Sequence, residues 1–260
     1  MKQIERRKYL IEYLLAENDL QAEIPSDEVS QKRFLRALMN VRAPKKASSE
    51  FLRIQDEYLR EELKQKGITD ICSLAPVAPD IYLWKGDITT LKCDGIVNAA
   101  NSGMLGCFCP NHGCVDNAIH TFAGVELRLE CAEIMEKQGC DELTGRAKIT
   151  RSYNLPCKYV LHTVGPIVYG SVTQKEENEL YDCYYNCLAL ADEKGLGSLA
   201  FCCISTGEYR FPNDKAAEIA VKTVTEYKAS TKSKIKVIFN VFKEIDYEAY
   251  KRILRTDKQY

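Results

Sequence analysis

From residue 80 onward, short apolar runs alternate with amphipathic segments, and this alternation restricts the possible folds more than any other feature of the chain. IYLWKG, DGIVNAA, AKITRSYNL, KYVLHTV, SLAFCCI and KIKVIFNVF read as strands, and helices are predicted to begin near Asp116, Glu176, Asn213 and Asp246. Val115, Ile119, Phe122, Val125, Leu129, Ala132 and Met135 step by three or four residues and so predict one helix running to Gly139, with Asp116 or Asn117 as its N-cap. The expectation is an α/β sheet flanked by helices.

Before residue 70 the pattern is helical throughout. Ile4, Leu10, Ile11, Leu14 and Leu15 share one face, Phe34, Leu35, Leu38 and Met39 a second, and Leu52, Leu59 and Leu63 a third. Ser26 and Ser48 or Ser49 are candidate N-caps, and Gly67 is a candidate stop. The predicted organisation is a helical extension over residues 1–70 and an α/β domain over 71–260, joined by GITDICSLAPVAPD. There is no internal repeat and no low-complexity tract.

The 260 residues carry 36 basic and 37 acidic side chains and no basic block of the kind that tracks a phosphate backbone, so nucleic acid is a poor candidate partner. No apolar run approaches the roughly 20 residues that span a bilayer, and Glu5 and Glu12 interrupt the first apolar stretch. A cytoplasmic protein is the plain reading. Twelve cysteines could frame a secreted fold, but a chain of this size does not need staples. Cys93, Cys157, Cys202 and Cys203 lie in or beside apolar runs and read as reduced core thiols.

Three loops follow strands and mix small with polar residues: GDIT (86–89), NAANS (98–102) and STGEYRFP (205–212). In an open α/β sheet such loops fall at the carboxyl ends of strands, where ligands collect. Ser, Thr and Gly between a strand and a helix suit an anion, whereas the chain has neither a P-loop lysine nor GxGxxG.

A fourth loop, GCFCPNHGC (106–114), concentrates metal-ligand types. Its C-x-C-x2-H-x-C spacing favours zinc over chance thiols, although Cys109 beside Pro110 also reads as an ordinary loop residue. Closed structural zinc sites use two ligand pairs on separated segments, and no second pair is apparent. Cys72 and Cys93 are single, Cys183 and Cys187 lie one turn apart on a core face, and His120 and His162 read as hydrogen-bonded structural residues. A local set with one open position fits a catalytic or substrate-touching zinc. Zinc nucleobase deamination is excluded, because neither H-x-E nor P-C-x-x-C is present.

Taken in order, GDIT, IVNAANS, VDNAIHTFAG, LTGRAKITRSYNLP, YVLHTVGP and ISTGEYRFP resemble the macrodomain family, modules that bind ADP-ribose and in several branches remove it from proteins. The resemblance covers about residues 75 to 255. It implies a three-layer α/β/α fold with a mixed central sheet. It also implies that Asp87, with the Ile88 backbone nearby, accepts from the adenine amino group. Asn98 and Asn101 would face the distal ribose, and Ser205, Thr206, Gly207, Glu208 and Tyr209 would wrap the diphosphate. Phe242 stands where an aromatic packs on adenine, and a core role fits it equally well.

One departure points to a branch. Hydrolytic macrodomains usually carry glycines before the VDGAIH-like helix start, and this chain has GCFCPNHGC there. That is similar to the zinc-containing branch, which also has a helical extension and is associated with class M sirtuins that ADP-ribosylate lipoyl-carrier-like proteins. Its C-x4-H-x-C pattern selects Cys107, His112 and Cys114 as ligands of one Zn2+ and leaves Cys109 dispensable. The implied activity is hydrolysis of mono-ADP-ribose from a modified protein, with Asn98, Asn101 and Asp116 catalytic, Asp116 being equally readable as a helix cap. The alternative is a reader module with structural zinc.

Overall fold

A computed structural model of the chain describes residues 1–256. Three helices come first: α1 (Gln3–Glu17), α2 (Glu28–Val41) and α3 (Ser49–Lys66). Leu10, Ile11, Leu14, Leu35, Leu38 and Leu59 are buried in one cluster among them as their spacing predicts, and Leu63 is buried outside that cluster, each contributing roughly 1.5–3 kcal/mol relative to exposure. Ile4, expected on the same face, is 56% exposed because it lies in the first turn of α1, at the edge of the packed region. Asp27, not Ser26, caps α2 by accepting from the Ser30 amide at 2.9 Å, while Ser48 caps α3 and Gly67 ends it.

The connector is not featureless. Its strand β1 (Thr69–Asp70) pairs in parallel with β3 (Leu91–Lys92) in a two-stranded sheet. The main sheet is built from β2 (Ile81–Lys85), β4 (Gly95–Ala100), β5 (Ala147–Arg151), β6 (Tyr159–Val164), β7 (Ser198–Phe201) and β8 (Lys236–Val241). Their order is β2-β8-β7-β4-β6-β5, parallel except for β5, which runs antiparallel to β6. Central β4 has neighbours on both edges and helices over its faces, which is why GIVNAA reads as a continuous apolar run rather than an alternating one. Helices α6 (Gln174–Glu193), α7 (Asn213–Thr231) and α8 (Glu244–Thr256) pack side by side, and α4 (Val115–Ala123) and α5 (Val125–Gln138) complete the three-layer α/β/α arrangement. Among the described residues no helix is long and apolar enough to cross a membrane.

The single helix expected from Val115 to Gly139 is two helices. Gly124 adopts φ +101°, a backbone region that disfavours side chains, and a Cβ there would lie 2.7 Å from the Gln55 amide nitrogen. Gln55 of α3 then accepts from the Val125 amide at 2.9 Å, so the extension supplies the polar partner that starts α5. The face turns at the break: α5 buries Leu127 and Cys131 in the main core and Val125 against the extension, whereas Leu129, Ala132 and Met135 of the expected stripe are only half-buried. The N-cap of α4 is neither Asp116 nor Asn117 but Cys114, whose sulfur lies 3.4 Å from the Asn117 amide.

Candidate active site

Because β2, β4, β6, β7 and β8 are parallel, their carboxyl ends share one edge of the sheet, and the loops leaving them enclose a cleft of about 570 Å³. Asp87, Ile88, Asn101, Asp116, the Ser205–Tyr209 loop, Phe242, Cys107, His112 and Cys114 all line it. Asn98 does not. It has no exposed surface and lies behind the cleft wall rather than on it.

The Cys-His loop folds through a tight turn. The His112 amide donates to the Cys109 carbonyl at 3.2 Å, with Pro110 second in the turn and Asn111 third at φ +56°, a conformation asparagine tolerates. That turn brings Cys107 Sγ to 3.6 Å from His112 Nδ1. The donor atoms of Cys107, His112 and Cys114 all lie within 4.8 Å of one another, while Cys109 is exposed and outside the group. Two thiols and an imidazole at this spacing suit zinc. The other nitrogen of His112, Nε2, stands 3.4 Å from a Glu208 carboxylate oxygen, the kind of partner that orients a metal-ligating histidine.

Asp116, in the first turn of α4, borders the cleft yet is only 5% exposed. Burial raises its carboxyl to about 6, although a hydrogen bond from Asn98 and the positive charge of Arg128 oppose the rise. Asn98 Nδ2 donates to Asp116 Oδ1 at 2.8 Å and lies 3.2 Å from Nδ1 of His162, its register partner on β6. His162 Nε2 in turn meets Thr150 Oγ1 at 2.9 Å. His120 Nε2 lies 3.5 Å from Asp116 Oδ1, but neither ring nitrogen has a hydrogen-bond partner among the described residues, and burial holds its pKa well below the usual range. His162 therefore matches the expectation of a hydrogen-bonded structural histidine, and His120 does not.

A second group of metal-ligand types does exist, contrary to the sequence reading: His120, Cys131 and His162 converge in the interior. They come from α4, α5 and β6, and their clustering has no signature in local spacing. Cys203, expected to be a core thiol, is half-buried and borders the cleft.

The loop after β7 is shaped for an anion. Ser205 adopts φ +64°, Arg210 bonds back to Gly207 and Phe211 to Ser205, and the amides of Thr206, Gly207, Glu208 and Tyr209 donate to no described residue. Gly165, at the start of the loop after β6, allows this loop to approach, since a Cβ there would fall 2.1 Å from Ser205 Oγ.

At the far end, Asp87 Oδ1 accepts from the Thr89 amide at 3.0 Å, and Oδ2 pairs with Lys66 of α3 at 3.0 Å. Burial alone would raise its pKa, but the Thr89 bonds and the Lys66 charge outweigh burial and lower it. Phe242 is 74% exposed on the cleft rim, so the core role is not the one it takes.

Arg36, Lys66 and Phe122 also line the cleft. Phe122 could have been found, since Val115, Ala118 and Phe122 fall on one face of α4. Arg36 and Lys66 could not, because they arrive from the extension.

A Macro domain family model matches residues 97–220. A protein-ADP-ribose hydrolase of Treponema medium is 58% identical over 260 residues, covering 98% of this chain and 100% of the relative. A protein-ADP-ribose hydrolase of Staphylococcus aureus (strain MRSA252) is 47% identical over 269 residues, covering 100% of both chains. Among solved structures, the Trypanosoma brucei macrodomain in complex with ADP-ribose superposes with a TM-score of 0.65 at 32% identity, covering 84% of this chain and 94% of that one.

Proposed function

The chain belongs to the macrodomain family, and we propose that it is a zinc-dependent protein-ADP-ribose hydrolase that removes mono-ADP-ribose from a modified side chain. The observation that carries this reading is a buried carboxylate, Asp116, two residues from Cys114 and on the same cleft as the free amides of residues 206–209. The matches to the relatives named as hydrolases cover 98–100% of this chain, extension included, and 100% of those relatives.

In this reading the four amides hold the diphosphate, Asp87 and Phe242 take the adenine, and Ile88 packs beside it. Asn101, whose Nδ2 is tied to the Gly106 carbonyl at 3.1 Å, keeps its side-chain oxygen for a hydroxyl of the distal ribose. Cleavage at the anomeric carbon develops positive charge on that ribose and requires an aimed water. Asp116 accepts the proton of that water; Asn98 anchors Oδ1, and Oδ2 accepts from no other side chain among the described residues. Asn98 acts through Asp116 and is a positioning residue.

Cys107, His112 and Cys114 would hold the zinc, which supplies a Lewis acid at the ribose end of the cleft. Thiol ligands stay available to a metal where thiols are kept reduced, which supports a cytoplasmic setting for the reaction. The extension over residues 1–70 and the macrodomain over 71–260 work as one unit, and the acceptor to test first is a lipoyl-carrier-like protein modified by a class M sirtuin.

The deciding assay is release of free ADP-ribose from aspartate-, glutamate- and serine-linked substrates, with and without chelator. Release from at least one linkage that stops on zinc removal is expected. Tight ADP-ribose binding with no release from any linkage by the zinc-loaded protein would leave a reader module instead.

A further inference from the structure

The loop that carries the proposed metal ligands does little to hold itself in place. Between Asn101 and Cys114 its internal backbone hydrogen bonds are Met104 to Asn101 and His112 to Cys109, and it has no helix or strand. Its geometry comes from outside, and much of it from α2. Arg36 donates from Nη2 to the His112 carbonyl at 3.0 Å, and from Nε and Nη2 to Asn117 Oδ1 at 3.0 and 2.7 Å. Asn117, wholly buried, passes the constraint on by donating from Nδ2 to the Cys109 carbonyl at 3.0 Å and the Cys107 carbonyl at 3.5 Å. One guanidinium thus governs, directly or through one asparagine, the backbone of both Cys107 and His112.

Two further ties run between the same partners. Asn40, near the end of α2, accepts from the Asn111 amide at 2.9 Å and donates to Thr121 Oγ1 of α4 at 3.0 Å. Arg128 of α5 donates to the Leu105 carbonyl at 2.7 Å and, through its other arm, to the Met39 and Asn40 carbonyls. The loop is therefore bonded to α2 directly at Asn111 and His112, and through Asn117 and Arg128 at Cys107, Cys109 and Leu105. Arg36 can make its contacts because a planar fork reaches two acceptors at once, which a lysine ammonium cannot reproduce.

We infer that α2 is a clamp for the metal loop and that Arg36 is its positioning residue, setting how long zinc stays bound. This rests on the zinc reading of Cys107, His112 and Cys114. A ligand set held in its binding geometry loses metal slowly, because each ligand that dissociates is returned to the ion; a loosened loop lets the second ligand go before the first returns. Removing outer partners of metal ligands characteristically costs on the order of 10- to 100-fold in metal affinity.

The test loads the full chain with zinc and follows its transfer to a chromophoric chelator in excess. Arg36→Met keeps the aliphatic stem and removes the three hydrogen bonds, so release should quicken by roughly tenfold or more. Arg36→Lys should fall between wild type and Arg36→Met, and decides the matter should Arg36→Met not fold. Arg6→Met, which breaks an ion pair with Glu57 inside the extension, should release zinc at the wild-type rate. Release rates equal in wild type, Arg36→Lys and Arg36→Met, with only the melting temperature lowered in the variants, would make Arg36 a structural residue and overturn the clamp alone. A wild-type chain that takes up no zinc would overturn the metal reading and the clamp together.

Discussion

Asn98 reaches Asp116 from a position with no exposed surface: its side-chain nitrogen donates to Oδ1 at 2.8 Å, and the same nitrogen lies 3.2 Å from Nδ1 of its register partner, His162. Asp116 is thus held by β4 although it belongs to α4. Such a hydrogen bond fixes which oxygen faces the cleft, and it resists the rise in pKa that burial imposes.

If Asp116 accepts a proton in the reaction, Asp116→Ala should lower turnover by about 100-fold or more while ADP-ribose still binds. Asn98→Ala should lower kcat less, through loss of aim, and leave zinc content and product affinity near wild type. Asn101→Ala should keep zinc but lose turnover. Single-turnover kinetics beside calorimetry with ADP-ribose separates these effects, and variants that lose binding and turnover in parallel would remove the catalytic roles. Because Cys114 caps α4, helix stability is not the expected casualty of Asp116→Ala.

Metal analysis gives an independent check on the Cys-His loop. Cys107→Ser and His112→Ala should each reduce zinc to a small fraction of one per chain, whereas Cys109→Ser should leave it in place, since Cys109 faces solvent outside the donor group. Full zinc in Cys107→Ser, or loss confined to Cys109→Ser, contradicts the assignment.

What the sequence could disclose follows from how far each signal travels. Strands and helices were readable because periodicity is local, and the loops of Asp87, Asn101 and Ser205 because each directly follows a strand. The Gly124 break was hidden by an apolar spacing that continues across it in the sequence, and the cap of α4 by the rarity of cysteine in that role. Arg36 meets Asn117 across 81 residues of sequence and Lys66 meets Asp87 across 21, so nothing near either residue announces the contact. Asn98 illustrates a further limit. Its motif was visible, but whether it faces the ligand or stands behind Asp116 depends on the packing of α4 over β4.

The length of the cleft predicts a ligand preference. Asp87 and the free amides of residues 206–209 would engage adenine and diphosphate, and Asn101 the distal ribose, so ADP-ribose should bind much more tightly than AMP. Asp87→Ala should weaken ADP-ribose by about 1.5–3 kcal/mol, the worth of one hydrogen bond to a charged group. Lys66→Met should cost less than about 1 kcal/mol, because its pair with Asp87 is partly solvated. Equal calorimetric affinities for AMP and ADP-ribose would contradict the placement of these subsites.

The last prediction concerns acid. Burial depresses the pKa of His162 to about 3, so the native state keeps it neutral under conditions where an unfolded chain binds a proton near pH 6.5. The unfolded state then holds more protons between these two values, and stability must fall as pH falls through that window, by up to about 1.4 kcal/mol per pH unit for this residue. His120, also pushed well below its usual range by burial, adds in the same direction. Asp116 acts oppositely: with its carboxyl raised to about 6 from the 3.8 of a free side chain, its contribution is greatest below that lower value and is lost as pH rises through 6. The wild-type slope is therefore a net quantity, and the informative measurement is the difference made by His162→Gln. Urea unfolding of the zinc-loaded protein at pH 7 and pH 5 should show a smaller loss of stability in His162→Gln than in wild type, since the variant lacks a group that protonates only on unfolding. The contribution of the metal ligands is common to both proteins and cancels. Equal losses over that interval would mean that His162 takes up its proton in the folded protein, and that the hydrogen-bonded chain from Thr150 to Asp116 is open to water.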